Sequence, residues 1–114
     1  MRLRALAAGC ALLAALAVSP AASQDDSATV NMVSLSFAPT ELHVSPGTTV
    51  TWTNSSAIGH TVTADDGSFD SGGVDPGMTW SMEFDAPGTY PYYCVPHGAA
   101  GGYGMAAVIV VDDS

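Results

Sequence analysis

Apolar and polar residues alternate in short runs along this chain, and proline- or glycine-bearing turns cut between the runs. Val33, Leu35 and Phe37 alternate with Ser34 and Ser36. Val50 and Trp52 alternate with Thr49, Thr51 and Thr53, and Trp80, Met82 and Phe84 with Ser81 and Glu83. A period of two puts one apolar face on a strand and none on a helix. The turn signals between runs are Ala38-Pro39, Ser45-Pro46-Gly47, Asp65-Asp66-Gly67, Ser71-Gly72-Gly73, Asp75-Pro76-Gly77 and Ala86-Pro87-Gly88. The last run, residues 105–111, is almost continuously apolar and predicts a central strand buried on both faces. No window carries helical spacing, and no internal repeat is visible. These features predict an all-β chain, a seven- to eight-stranded Greek-key β-sandwich, with residues 29–112 as its single domain. Pro91 cannot donate to a ladder, which predicts a sheet edge or a bulge there. Tyr90, just after Pro87-Gly88, is placed to hydrogen-bond back across a corner while packing in the core.

The N-terminus reads differently. Arg2 and Arg4 precede an Ala/Leu stretch over residues 5–18, followed by the small residues Ser19, Ala21, Ala22 and Ser23. That stretch is too short for a membrane span and has the layout of a cleaved signal peptide, residues 1–23. Leu6-Ala7-Ala8-Gly9-Cys10 has the form of a lipoprotein box, but the apolar run continues past Cys10, so the signal-peptide reading is preferred. Residues 24–28 are expected to be a polar tail. The implied location is periplasmic or otherwise extracytoplasmic.

Both basic residues leave with the leader, so the formal charge of −9 falls by two to −11. A chain with no remaining Lys or Arg is a poor ligand for nucleic acid or anionic lipid, and a basic protein partner suits it better. Acidity that serves only solubility is the plain alternative. Like-charge repulsion favours a monomer without stable membrane insertion.

After the leader, Cys94 is the one remaining cysteine, in Tyr93-Cys94-Val95-Pro96-His97. An unpaired thiol in an oxidising compartment needs a use or protection. His60 lies upstream and Met105 downstream, after the glycine-rich step of residues 98–104. A soft thiolate, two imidazoles and a thioether match a His₂Cys copper site with a weak axial Met. A strand ending at Cys94, a loop, and a strand starting at Met105 would bring three of these residues to one end of the sandwich. His60, opening another strand, would reach the same end. Pro96 would stiffen the turn, keeping one geometry for both copper oxidation states. Zinc is disfavoured, since thioether suits it poorly and structural zinc usually takes more cysteines. Each residue alone has a plain reading: Cys94 and Met105 as core filler, His60 as an even choice. His43 alternates with Leu42 and Val44 and is expected to face solvent; Met32, Met78 and Met82 are expected to pack.

The chain resembles the plastocyanin, amicyanin, pseudoazurin and halocyanin group of small blue copper proteins, the cupredoxins. The resemblance rests on Val50-Thr51-Trp52-Thr53-Asn54 with Gly59-His60-Thr61-Val62, Asp85-Ala86-Pro87-Gly88-Thr89-Tyr90, Tyr93-Cys94-Val95-Pro96-His97 and Gly104-Met105. Phe37-Ala38-Pro39 and Val44-Ser45-Pro46-Gly47 extend it over nearly the whole mature chain. It implies His60, Cys94, His97 and Met105 as ligands of one copper. Thr61 departs from the Asn that such proteins commonly carry after the first histidine, where it braces the site. The step from His97 to Met105 is also longer than in plastocyanin.

The implied function is one-electron transfer between redox proteins, through a copper cycling between Cu(I) and Cu(II) with no open position for substrate. His97 is expected nearest solvent, framed by Ile58, Gly59, Pro96, Gly98, Ala99, Ala100 and Tyr103. The acidic body would steer a basic partner such as a c-type cytochrome. An enzymatic reading fails on residue counts. Multicopper catalysis needs more than three histidines, and oxidative polysaccharide cleavage needs a histidine at the mature N-terminus. Copper storage or delivery is the third reading; it usually shows exposed Met or His clusters.

Overall fold

The computed structural model describes residues 26–113. Within them the chain is all β. Its strands are β1 (Ser27–Val33), β2 (Ser36–Ala38), β3 (Glu41–Val44), β4 (Thr48–Asn54), β5 (Thr63–Ala64), β6 (Thr79–Phe84), β7 (Gly88–Ala99) and β8 (Tyr103–Val111). They form two four-stranded sheets, ordered β3-β8-β7-β5 and β2-β1-β4-β6. Two pairings are parallel, β1 with β4 and β3 with β8; the rest are antiparallel.

The alternating runs do what a period of two dictates. Along β4, Thr48, Val50, Trp52 and Asn54 point inward and the intervening threonines outward. Trp52 is fully buried, with ring centroids 5.4 Å from Trp80, 6.1 Å from Phe84 and 5.4 Å from Tyr92. The described residues contain no Lys, Arg or disulfide. Stability therefore rests on apolar burial, about 1.5–3 kcal/mol for each large core side chain.

Four expectations need correction. The run from Val33 to Phe37 is not one strand. β1 ends at Val33, Ser34 takes φ 52°, and the chain reverses into β2, pairing Val33 with Ser36. Alternation continued across this tight turn, which hid it. Val30 and Met32 are the inward residues of β1, while Val33 and Leu35 are exposed. Second, β1 begins at Ser27, so the expected tail of residues 24–28 gives up its last two positions to the sheet. Ser27 and Ala28 pair with Thr49 and Val50, and Ala28 packs on the core. The expected leader lies outside the described residues. Third, β8 is central between β3 and β7, but only Met105, Ile109 and Val111 are buried; the other face is half-covered. Fourth, Met78 is 58% exposed rather than packed.

Other expectations hold. Tyr90 donates its hydroxyl to the Ala86 carbonyl at 2.6 Å and packs edge-on to Phe84. Pro91 sits where β5 has already run out: its carbonyl accepts the Asp65 N–H at 3.0 Å, so its missing donor faces a sheet edge. The bulge is elsewhere, nearer the cysteine.

Candidate metal centre

The β7–β8 ladder does not stop at Cys94, as the sequence suggested. It continues to Ala99↔Tyr103 and Gly98↔Gly104. Between Gly98↔Gly104 and Tyr93↔Ala106 the register slips, with residues 94–97 on β7 facing Met105 alone on β8. Such an irregularity re-aims side chains locally. Here it turns Cys94 into the core and lifts His97 to the rim. The glycine-rich step makes this crossing possible. A Cβ on Gly98 would lie 2.6 Å from the Met105 carbonyl, and one on Gly104, at φ +64°, 2.5 Å from the His97 carbonyl.

His60 arrives from the other side. It is an isolated bridge rather than the start of a strand, exchanging backbone hydrogen bonds with Val74 at 3.1 and 2.7 Å. The Cys94 Sγ lies 3.6 Å from His60 Nδ1 and 3.4 Å from His97 Nδ1. The two rings stand 5.0 Å apart at 64°. The three ligand atoms all fall within 4.8 Å of one another. Cys94 and His60 are buried, His97 is half-buried, and Met105, across the bulge, is 2% exposed. Such donor separations suit three ligands about 2.0–2.3 Å from a common ion. A free, buried cysteine facing two imidazole nitrogens fits a soft metal.

The surroundings orient each donor. Asn54, 1% exposed, points its Nδ2 at the Ile58 and Val74 carbonyls, 2.8 and 2.9 Å away, so that atom is the donor and Oδ1 the acceptor. Ser56 Oγ lies 2.6 Å from Asn54 Oδ1, 3.0 Å from the Ile58 carbonyl and 2.9 Å from His60 Nε2. The two oxygens can only accept, so the single hydroxyl proton goes to one of them. His60 Nε2 must then carry its own proton and donate to Ser56. That leaves the Nδ1 lone pair facing Cys94. Burial lowers the His60 imidazole below its usual value; the neighbouring His97 adds to this, and the Ser34 backbone works against it. A neutral ring is the form a metal requires.

Sequence reasoning grouped His60, Cys94 and His97, which the structure brings together, but gave no role to Ser56 and quoted Asn54 only as part of the resemblance. The visible trace was a polar Asn-x-Ser beginning at the last residue of a strand, a pattern common to many turns. It placed His43 correctly in solvent, away from the centre, between Glu41 and Asp112.

Known proteins resemble this chain in sequence and in fold. A sequence model of the family described as "Copper binding proteins, plastocyanin/azurin family" matches residues 24–112. Amicyanin-alpha of Methylorubrum extorquens is 38% identical over 98 residues, covering 82% of this chain and 77% of its own. The chloroplastic plastocyanin of Pisum sativum is 36% identical over 88 residues, covering 65% of this chain; the match spans about half of the pea protein, 52%. Among solved structures, the reduced Cu(I) form of a proline-to-glycine mutant of amicyanin superposes with a TM-score of 0.66 at 29% identity. That match covers 77% of this chain and 84% of amicyanin. A purple cupredoxin from Nitrosopumilus maritimus shares the fold, with a TM-score of 0.65 at 23% identity over 75% of this chain and 99% of its own. Fold, donor set and family agree on one copper as the metal of this centre. The chain belongs to the plastocyanin/azurin family of copper-binding proteins.

Proposed function

We propose that the protein is an extracytoplasmic electron carrier, not an enzyme, with His60, Cys94, His97 and Met105 as the ligands of its copper. The observation that carries this reading is the closed cluster around Cys94 Sγ, with one half-buried histidine at its rim. Bound copper supplies the Cu(I)/Cu(II) couple. The chain's own residues do the rest. Cys94 offers an anionic sulfur shielded from water and His60 a fixed nitrogen. Met105, on the opposite strand, offers a thioether to a full shell. Ladder pairs on both sides of the bulge keep the donors from moving when charge changes, which keeps the reorganisation cost of electron transfer small. His97 is the exit, and exposed Ile58 and Tyr103, at 44% and 71%, contribute to the apolar docking patch around it.

The acidic surface is proposed to steer a basic redox protein such as a c-type cytochrome. Asp65 and Asp112 are poor probes of steering, because Asp65 Oδ2 accepts the Gly101 N–H at 2.9 Å and Asp112 contacts His43. Asp113→Asn is cleaner: association should slow and lose part of its salt dependence, and unchanged kinetics would remove that site. Export by a leader over residues 1–23 predicts a mature N-terminus near residue 24 in the secreted protein, readable by mass spectrometry. Loading with copper and oxidising should give an intense thiolate-to-Cu(II) band, lost in Cys94→Ser. A colourless oxidised sample would end the proposal. Rapid copper handover to an acceptor without reversible redox cycling would favour delivery instead.

A further inference from the structure

Asp65 and Gly101 meet where an unbent hairpin would keep them far apart. Asp65 follows β5, and its N–H donates to the Pro91 carbonyl at 3.0 Å, which sets it level with Pro91 on β7. Gly101 lies in the tip of the β7–β8 hairpin, beyond the last pair, Ala99↔Tyr103. Ten extended residues span about 33 Å. Yet the Gly101 N–H donates to Asp65 Oδ2 at 2.9 Å. One aspartate side chain and two hydrogen bonds reach only about 11 Å from the Pro91 carbonyl. The far half of the hairpin therefore folds back toward β5, and the register slip of residues 94–97 against Met105 is where it turns. Gly98↔Gly104 and Ala99↔Tyr103 make that far half one unit, which begins just after His97 on one arm and ends just before Met105 on the other. Its tip is packed: a Cβ on Gly101 would lie 3.1 Å from Tyr103 Cε2. The Asp65 carboxylate is committed to the bond with Gly101. Its other oxygen, Oδ1, is buried with no hydrogen-bond partner among the described residues. Leaving such an acceptor unpaired is costly, and an aspartate serving only surface charge would turn it to water. Asp66, next along, is exposed, and its Oδ1 closes its own turn on the Ser68 N–H at 2.9 Å.

We propose that Asp65 is a positioning residue that latches the folded-back hairpin, and through it sets where His97 and Met105 stand relative to Cys94 and His60. One charge-assisted bond at the tip restrains both arms, because the two ladder pairs carry it down to the ligand on each. With the latch gone, the far half is free to swing at the register slip, and the imidazole and the thioether move together. The inference rests on the copper-site reading above, and its test separates the two.

The variants are Asp65→Ala, Asp65→Asn and, as a charge control on the other sheet, Glu83→Gln at an exposed position of β6. Two readouts are used: amide hydrogen exchange at Gly101 in the metal-free protein, and Cu(I) affinity by competition with a chelator. Asp65→Ala should speed Gly101 exchange about tenfold and weaken copper binding about tenfold. Asp65→Asn keeps an acceptor oxygen without its charge, so both changes should fall to about threefold. Glu83→Gln should leave both readouts where they are. Unchanged exchange in Asp65→Ala would overturn the inference. Faster exchange with unchanged affinity would also overturn it, reducing the latch to a brace for the tip alone. Equal affinity losses in Asp65→Ala, Asp65→Asn and Glu83→Gln would overturn it too, assigning the effect to net charge. Should Asp65→Ala fail to fold, Asp65→Asn decides alone: a loss of about threefold in both readouts sustains the latch, and unchanged affinity ends it. Cys94→Ser, measured alongside, tests the copper site itself: retained copper there would defeat that reading whatever Gly101 does.

Discussion

The two histidines facing Cys94 are built in opposite ways. His60 is 1% exposed, bridged through its backbone to Val74 and held at Nε2 by Ser56, behind which stands buried Asn54. His97 sits half-buried at the rim, on the segment that the bulge pushes out, and its Nε2 has no hydrogen-bond partner among the described residues. Both present Nδ1 to the same sulfur. One is therefore part of the scaffold, and the other is a door in it. A centre that must keep its shape yet touch a partner needs one of each.

The sharpest way to break this contrast is to delete each ring in turn. His60→Ala should cost about 2–5 kcal/mol in the metal-free protein, as for other large buried side chains, while His97→Ala should stay within about 1 kcal/mol of the parent. Urea unfolding of the two variants reads this, and equal costs would erase the distinction. Next comes the crossing that lifts His97. Gly98→Ala drives a methyl into the Met105 and Tyr103 carbonyls and should cost about 1–3 kcal/mol while blurring any charge-transfer band. Gly102→Ala, with nothing within 4 Å but φ +85°, should cost about 1 kcal/mol from backbone strain only. Ser56→Ala removes the acceptor of His60 Nε2–H and should cost about 0.5–1.5 kcal/mol. Ring ¹⁵N shifts of His60 in the metal-free protein should then show mixed tautomers, and an unchanged single tautomer would show that Ser56 does not set the proton.

The third histidine supplies the mildest test. His43 lies in solvent with Asp112 Oδ1 3.0 Å from Nδ1 and Glu41 Oε2 2.7 Å from Nε2. These contacts, Asp112 first and then Glu41, raise its pKa above the ordinary 6.5. A group whose pKa rises on folding stabilises the fold fully below its unfolded value and loses that contribution as pH climbs through the folded value. The denaturation midpoint should therefore drift down from about pH 6.5 upward. The drift should shrink in salt and vanish in His43→Asn. A slope that survives the substitution would place its origin in other groups.

Much of this was readable before any fold existed. Strand class followed from period two in β4 and β6, and the corner at Tyr90 from its distance to Pro87-Gly88. The grouping of His60, Cys94 and His97 followed from donor chemistry, because an unpaired thiol beside a nearby imidazole narrows the choices sharply. What stayed hidden was set by neighbours distant in sequence. The Ser34-Leu35 reversal preserved the alternation on both sides and so left no mark. Met78 had the composition of a core residue and ended outside. Ser56 looked like any turn residue, and the inward reach of Asn54 showed only once Val74 and His60 closed around the pair.

The residue types determined by themselves that this chain would be an acidic β-protein with one soft-metal donor set. Those properties are local: each side chain carries its charge, its softness and its alternation wherever it lies. Only the tertiary structure decided that β7 and β8 slip past one another at Met105, that His60 keeps its proton on Nε2, and that Asp65 reaches Gly101. Register and proton direction depend on which distant partner a strand or hydroxyl meets, and no single segment contains that information.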